Sequence, residues 1–150
     1  MYIIIVGAGK VGRHLAKALL KSKHEVVITE RSSEKGEAVK EELGSMVIVG
    51  DGCEEGVLRE AGIPRADVLI AATGSDEDNL AACQMAKHRF HVPRTISLIN
   101  NPNNERLFRE LGVDVGVSTS QIILSHIEEE LPAHPLIHLM GIMGSNREVV

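Results

Sequence analysis

Six short runs of aliphatic and β-branched residues recur along the chain: Ile3–Val6, Glu25–Thr29, Met46–Val49, Val68–Ala71, Thr95–Ile99 and Val113–Val117. Between them lie longer stretches whose apolar positions follow a helical period. This alternation predicts repeated βα units, hence a parallel sheet covered by helices on both faces. In the first interval Val11, Leu15, Ala18 and Leu19 share one helix face, and Lys10, Arg13, Lys17 and Lys21 lie outside it. Ser32 to Leu43 is nearly all charged and reads as an exposed helix, with Ser32 or Ser33 capping its start and Gly44 ending it. Asp76 to Arg89 predicts a longer helix with Leu80, Cys83, Ala86 and Lys87 along one side, stopped before Pro93. Pro102 opens a short helix through Leu107 and Leu111, closed by Gly112.

Beyond the sixth run, Ser120 to Leu131 reads as a helix whose Ile122, Ile123, Leu124, Ile127 and Leu131 cover more than one face. A lone domain would leave some of them in water. Pro132 and Pro135 break that helix, and residues 136–143 and 148–150 resemble the first strands of a second unit that stops abruptly. The expected division is therefore residues 1–131 as one domain and 132–150 as a tail or truncated second subdomain.

Composition narrows the function classes. The apolar residues are Val, Ile, Leu and Ala, with one Tyr, two Phe and no Trp, as suits a sheet buried on both sides. A formal charge of −5 and a pI near 5.8 supply no basic field for phosphate backbones, and stacking aromatics are scarce, so nucleic acid is not an expected partner. Cys53 and Cys83 are far apart without CxxC or Cys/His ligand spacing, which points to free thiols in a reducing cytosol. No apolar run approaches the roughly 20 residues of a spanning helix. No basic leader precedes the first strand, so a cytoplasmic protein is expected.

The chemistry concentrates where the first strand meets the first helix. Gly7-Ala8-Gly9-Lys10-Val11-Gly12 follows a predicted strand directly and opens a predicted helix, and a second strand ends on Glu30, 18 residues past Gly12. In that context GxGxxG predicts the phosphate turn of a Rossmann-like, doubly wound parallel sheet of six strands in the order 3-2-1-4-5-6. Gly7 makes the tight turn, Gly9 lets a pyrophosphate approach the backbone, and Gly12 lets the helix pack closely. The helix N-terminus supplies unpaired N–H groups and a positive dipole end. Glu30 is placed to accept ribose hydroxyls and to repel a 2′-phosphate, favouring NAD(H) over NADP(H). Arg31 leaves a second option open, because an adjacent guanidinium can receive a phosphate.

Asp51-Gly52-Cys53 follows the third strand and Thr73-Gly74 the fourth, both at the carboxyl edge where open α/β sheets bind ligands. Asp51 is a candidate contact for adenine and Thr73 for the crevice, although both positions also suit helix caps. His88 with His91, and His134 with His138, lack a third ligand, and Pro135 spoils the helical geometry of the second pair, so they read as exposed histidines. Glu128-Glu129-Glu130 reads as a solvated helix face. No metal site is expected.

The glycine turn, the acid after strand two and the stretch Gly50-Asp51-Gly52, Ala61-Gly62-Ile63, Ala66-Asp67, Thr73 and Asp76-Glu77-x-Asn79 together resemble the TrkA-N domain, or RCK N-terminal domain, of potassium transport regulators. The resemblance spans about residues 1–131. It implies a cytosolic subunit or domain, peripheral to the inner face of the membrane through a K⁺ channel or transporter partner. It also implies binding of NAD(H) or another adenine nucleotide (ATP, ADP or AMP), and assembly as homodimers into a ring. Carried onto this chain, it places Gly7, Gly9 and Gly12 at the phosphates and Glu30 at the ribose. Asp51 and Gly52 fall in the adenine-side loop, Thr73 at the fourth-strand tip, and residues 120–131 in a crossover helix between subunits. Two positions depart from the family pattern: Lys10 stands where Arg is frequent, and Gly52-Cys53 where Ala-Thr or Ala-Ser is frequent.

Two functions fit these features. In the first, nucleotide binding shifts a regulatory module and its membrane partner responds, without any reaction. In the second, the chain is the cofactor domain of an NAD-dependent oxidoreductase, for which Asp76, Asn79 and Asn100 are the acid–base candidates. Tyr2 is the only tyrosine, so a Tyr-x-x-x-Lys reductase is excluded.

Overall fold

Tyr2–Val6 (β1) is apolar throughout and buried throughout, as a central parallel strand must be. In this computed structural model, which describes residues 1–44 and 46–131, β1 pairs in parallel with Glu25–Glu30 (β2) on one side and Val68–Ala71 (β4) on the other. Met46–Val49 (β3) pairs outside β2, and Arg94–Ile99 (β5) and Val115–Ser118 (β6) extend the sheet beyond β4. The order is β3-β2-β1-β4-β5-β6, as expected for a doubly wound sheet. The helices are Lys10–Lys21 (α1), Ser33–Leu43 (α2), Glu55–Glu60 (α3), Asp76–Gln84 (α4), Glu105–Glu110 (α5) and Thr119–Glu130 (α6).

Successive side chains of a strand point to opposite faces, and β1 divides the core accordingly. Ile3 and Ile5 join Ile28, Val68 and Ile70 under α1 and α2, where Ala16 and Val39 pack. Tyr2, Ile4 and Val6 face the other way with Leu69, Leu58 of α3, Ala82 and Cys83 of α4, and Phe108 of α5. Residues Met1–Ser118 form one compact unit and the segment from Thr119 a second. Within α6, Ile122, Ile123 and Ile127 are exposed. The expected strands in 132–150 and the His134–His138 pair lie outside the described residues.

Four local expectations are corrected. The buried side of α1 is centred on Gly12 and Ala16, with Leu15, Leu19 and Leu20 packed beside them, whereas Val11 and Ala18 face solvent. The two smallest residues sit at the closest approach, because the helix lies too near the sheet there for a larger side chain. The sixth strand starts at Val115, not Val113. Val113 N–H bonds back to Phe108 O, and the Asp114 carboxylate accepts from Thr95 N–H and Oγ, which holds both residues out of the ladder. The segment after β3 folds into α3 and a 3₁₀ turn, Ile63–Arg65, neither of which was anticipated; both are too short to display a helical period. The Asp76–Arg89 helix is present, but its last turn, Met85–Arg89, widens to a π-turn.

The seating of α1 on its strand turns on Gly12. A Cβ there would collide with the Gly7 carbonyl oxygen, a backbone atom that cannot step aside. Gly12→Ala is expected to destabilise the fold by about 1–3 kcal/mol, the usual cost of overpacking, measured by urea denaturation. An unchanged midpoint would show that α1 can lift off without penalty.

Candidate functional site

The strand ends on either side of the β1–β4 boundary diverge, and the loops leaving them line a cleft of about 250 Å³. Its walls include Gly7 and Gly9 from the glycine turn, Glu30 and Arg31 from the tip of β2, Asp51, Gly52 and Cys53 after β3, and Thr73 and Gly74 after β4. Nine of the expected site residues thus converge. Ala8, Lys10, Val11 and Gly12 do not line it: Ala8 and Gly12 are buried, and Lys10 and Val11 are exposed on the first turn of α1. Seven further wall residues are not among the expected site residues, namely Val6, Thr29, Lys35, Gly50, Ala72, Ser75 and Asp78.

The glycine turn is fixed from both sides. Gly7 N–H donates to Thr29 O at 2.8 Å, Gly7 has a φ of 108°, and a Cβ on it would meet the Ala72 carbonyl. The Glu30 carboxylate accepts from Ala8 N–H at 2.9 Å and from Ser32 N–H at 2.8 Å, tying the turn to the end of β2. Glu30 therefore shapes the cradle in addition to the ribose role expected of it, and each oxygen keeps a further lone pair. Gly9 caps α1 and offers no side chain to its free N–H groups. Gly52 is glycine for packing, since its Cβ would strike Val6 and the Thr29 hydroxyl.

Charge is arranged across the mouth. The Arg31 guanidinium donates to Asp78 Oδ2 at 2.8 Å and contacts Asp51 Oδ2 at 3.4 Å, so Asp51 and then Asp78 raise its pKa further. The Cys53 backbone N–H, assisted by Arg31, holds the Asp51 carboxyl below its ordinary value against the opposing effect of burial. Cys53 Sγ donates to Asp78 O, and burial with the nearby Asp51 pushes its thiol up to about 12. It remains a neutral donor. The Thr29 hydroxyl, 1% exposed at the edge of the cleft, has no hydrogen-bond partner among the described residues. The uncapped N–H groups at the start of α1 suit a polar, anionic ligand.

The far wall is tied together by internal hydrogen bonds. Asn79 is 0% exposed; its amide donates to Thr73 O and Leu98 O, and its oxygen accepts from Thr73 N–H and Oγ. Asp76 accepts from Asn100 N–H, Asn101 N–H and the Asn104 and Asn100 amides. Thr73 and Asp51 are thus loop-shaping residues and not helix caps; Ser75 caps α4. Among the described residues no three metal-ligating side chains cluster, and no helix is long and apolar enough to cross a membrane.

The sequence profile of the TrkA-N domain matches residues 3–119, which takes in the whole sheet except Tyr2. The chain belongs to the TrkA-N domain family. Over its 150 residues it is 31% identical to the Trk system potassium uptake protein TrkA homolog of Methanothermobacter thermautotrophicus, of which it spans 69%. Over 141 residues, 93% of this chain, it is 36% identical to the Trk system potassium uptake protein TrkA of Mycobacterium tuberculosis, of which it spans 64%. It therefore covers about two thirds of these relatives' length.

Among solved structures, this TrkA-N chain is similar to the TrkA-N domain of the Escherichia coli inner membrane protein ybaL, with a TM-score of 0.78, 22% identity, and coverage of 87% of this chain and 96% of that one. It is also similar to the GsuK channel bound to NAD, with a TM-score of 0.70, 24% identity, and coverage of 77% and 21%. The Shewanella denitrificans Kef CTD in AMP-bound form gives 0.75, 18%, and coverage of 99% and 93%. At these identities the likeness establishes the fold. The family and strand order expected from the sequence both hold.

Burial pushes the Asp76 carboxyl up, but the donors from Asn100, Asn101 and Asn104 outweigh it and hold Asp76 below the ordinary value of 3.8. A depressed carboxyl stabilises the fold above its unfolded pKa and loses that contribution as the pH falls through the folded one. The stability gap between wild type and Asp76→Asn in urea denaturation should be largest above about pH 5 and close towards pH 2. A gap independent of pH would mean that the carboxylate charge contributes nothing.

Proposed function

We propose that this TrkA-N domain is the nucleotide-sensing part of a regulator of a potassium channel or transporter at the cytoplasmic face of the membrane. It binds NAD(H), or another adenine nucleotide such as ATP, ADP or AMP, in the cleft at the β1–β4 boundary. The single observation that carries the reading is Gly9. Its φ of −74° is open to any residue, and a Cβ there meets no protein atom within 4 Å. Nothing within the fold fills this position, so without a Cβ the backbone stays open to a group that approaches the turn. A pyrophosphate facing the first turn of α1 is the group that needs that approach.

In this reading the N–H groups of the first turn of α1 hold phosphate, Glu30 accepts from a ribose, and the loop Asp51-Gly52-Cys53 borders the adenine. Thr73 and Gly74 border the crevice. The names of the relatives, potassium uptake proteins, supply the transport setting, and the neighbours crystallised with NAD and AMP supply the ligand class. The oxidoreductase alternative receives no support from its acid–base candidates. Asp76, Asn79 and Asn100 are engaged in the wall's internal hydrogen bonds, and the Asp76 carboxyl is held ionised. The reading therefore includes no catalytic step. It does include a homodimer, and a higher ring, built through the exposed isoleucines of α6.

Calorimetric titration with NAD⁺, NADH, ATP and ADP tests the site. Gly9→Ala should leave the fold intact, or stabilise it by about 0.4–1 kcal/mol through the unfolded chain, while weakening the preferred nucleotide at least tenfold. Glu30→Ala should weaken it as well. Equal affinities in wild type and both variants would place the site elsewhere. Sedimentation should show a dimer that Ile123→Glu dissociates; a strictly monomeric wild type would remove the assembly from the proposal.

A further inference from the structure

Arg31 follows Glu30 at the tip of β2, the position beside which a fold of this topology meets the adenosine ribose or its 2′-phosphate. Its guanidinium does not extend freely there. It reaches to Asp78 on α4, across the β1–β4 boundary, and to Asp51 in the β3 loop. Both residues are anchored, Asp78 through its backbone and Asp51 through its carboxylate. Asp78 N–H is capped by Ser75 Oγ and its carbonyl takes the Cys53 thiol, while Asp51 Oδ1 accepts the Cys53 backbone N–H.

We infer that Asp78 is a positioning residue for cofactor selection: together with Asp51 it retains the Arg31 guanidinium, so that the site excludes 2′-phosphorylated dinucleotides. The inference rests on the reading of the cleft as a dinucleotide site. The charged groups lining the cleft are Glu30, Asp51 and Asp78 against Arg31 and Lys35, three carboxylates against two cations. A dianionic phosphate meets net negative charge and an arginine already engaged by two carboxylates. A free ribose diol meets an acceptor, Glu30, held in place by two backbone N–H groups. Fold stability does not explain Asp78, because ion pairs this exposed contribute little to it. What the pair does control is where the guanidinium points, and bidentate capture of a phosphate depends on that.

The test measures dissociation constants of NADH and NADPH for the full chain, from the fluorescence of the bound reduced nicotinamide, in wild type, Asp78→Asn, Arg31→Ala and the double variant. Wild type should prefer NADH. Asp78→Asn should shrink that preference by at least about fivefold, with steeper salt dependence for NADPH than for NADH, as expected for a released guanidinium meeting a phosphate. Asp78→Ser is the second variant and should behave alike. With Arg31 already replaced, Asp78→Asn should change the preference less than twofold, which separates release of Arg31 from simple removal of a negative charge. An unchanged preference in Asp78→Asn and Asp78→Ser, or an equal change without Arg31, overturns the inference and leaves the dinucleotide reading standing. Absence of binding by both dinucleotides overturns the two together.

Discussion

The contact between Gly12 and the Gly7 carbonyl sets the geometry of the carboxyl edge. Because no Cβ separates them, α1 begins directly against the turn that leaves β1, and its first N–H groups open onto the crevice at the β1–β4 boundary. The remaining features build on that seating. Gly7 bonds to the end of β2, Glu30 holds Ala8, and the same carboxylate reaches Ser32, so the turn, the second strand and the start of α2 form one hydrogen-bonded unit. Lifting α1 by the width of a methyl group would loosen all of them.

The two sides of the cleft differ in character. On the β1–β3 side are open N–H groups, a Thr29 hydroxyl without a partner among the described residues, and Gly9, whose Cβ position is empty. On the β4–β5 side Thr73, Asn100 and Asn101 are bonded within the protein, with Asn79 and Asp76 as the two centres. Hydrogen bonds that run between loop and helix in this way let that wall hold its own shape. One side thus leaves backbone donors open, and the other holds its own shape and carries the ion-pair partner of Arg31.

Much of the architecture was legible because the relevant forces are local or periodic. Runs such as Ile3–Val6 and Val68–Ala71 are short and apolar at every position, as suits a strand covered on both faces, and the turn from Gly7 to Gly12 identifies the strand-to-helix junction of a Rossmann-like unit through the elements around it. The buried face of α1 was misjudged by one residue. Periodicity ranks side chains by hydrophobicity, whereas the closest approach selected the smallest residues, Gly12 and Ala16. α3 was missed because six residues cannot display a period. Val113 and Asp114 were assigned to a strand that their bonds to Phe108 and Thr95 exclude.

The sequence by itself determined the fold class, the strand order, the family and the loops that meet at the cleft, since glycine spacing, apolar runs and a terminal acid are written in consecutive residues. Only the tertiary structure decided which side chains the cleft engages, and with what. Arg31 and Asp78 are 47 positions apart and belong to opposite sides of the strand-order reversal, so no local pattern relates them. Likewise Gly9 and Gly12 are identical letters in one motif. The folded chain separates their roles, because a Cβ at Gly12 meets protein and a Cβ at Gly9 meets none.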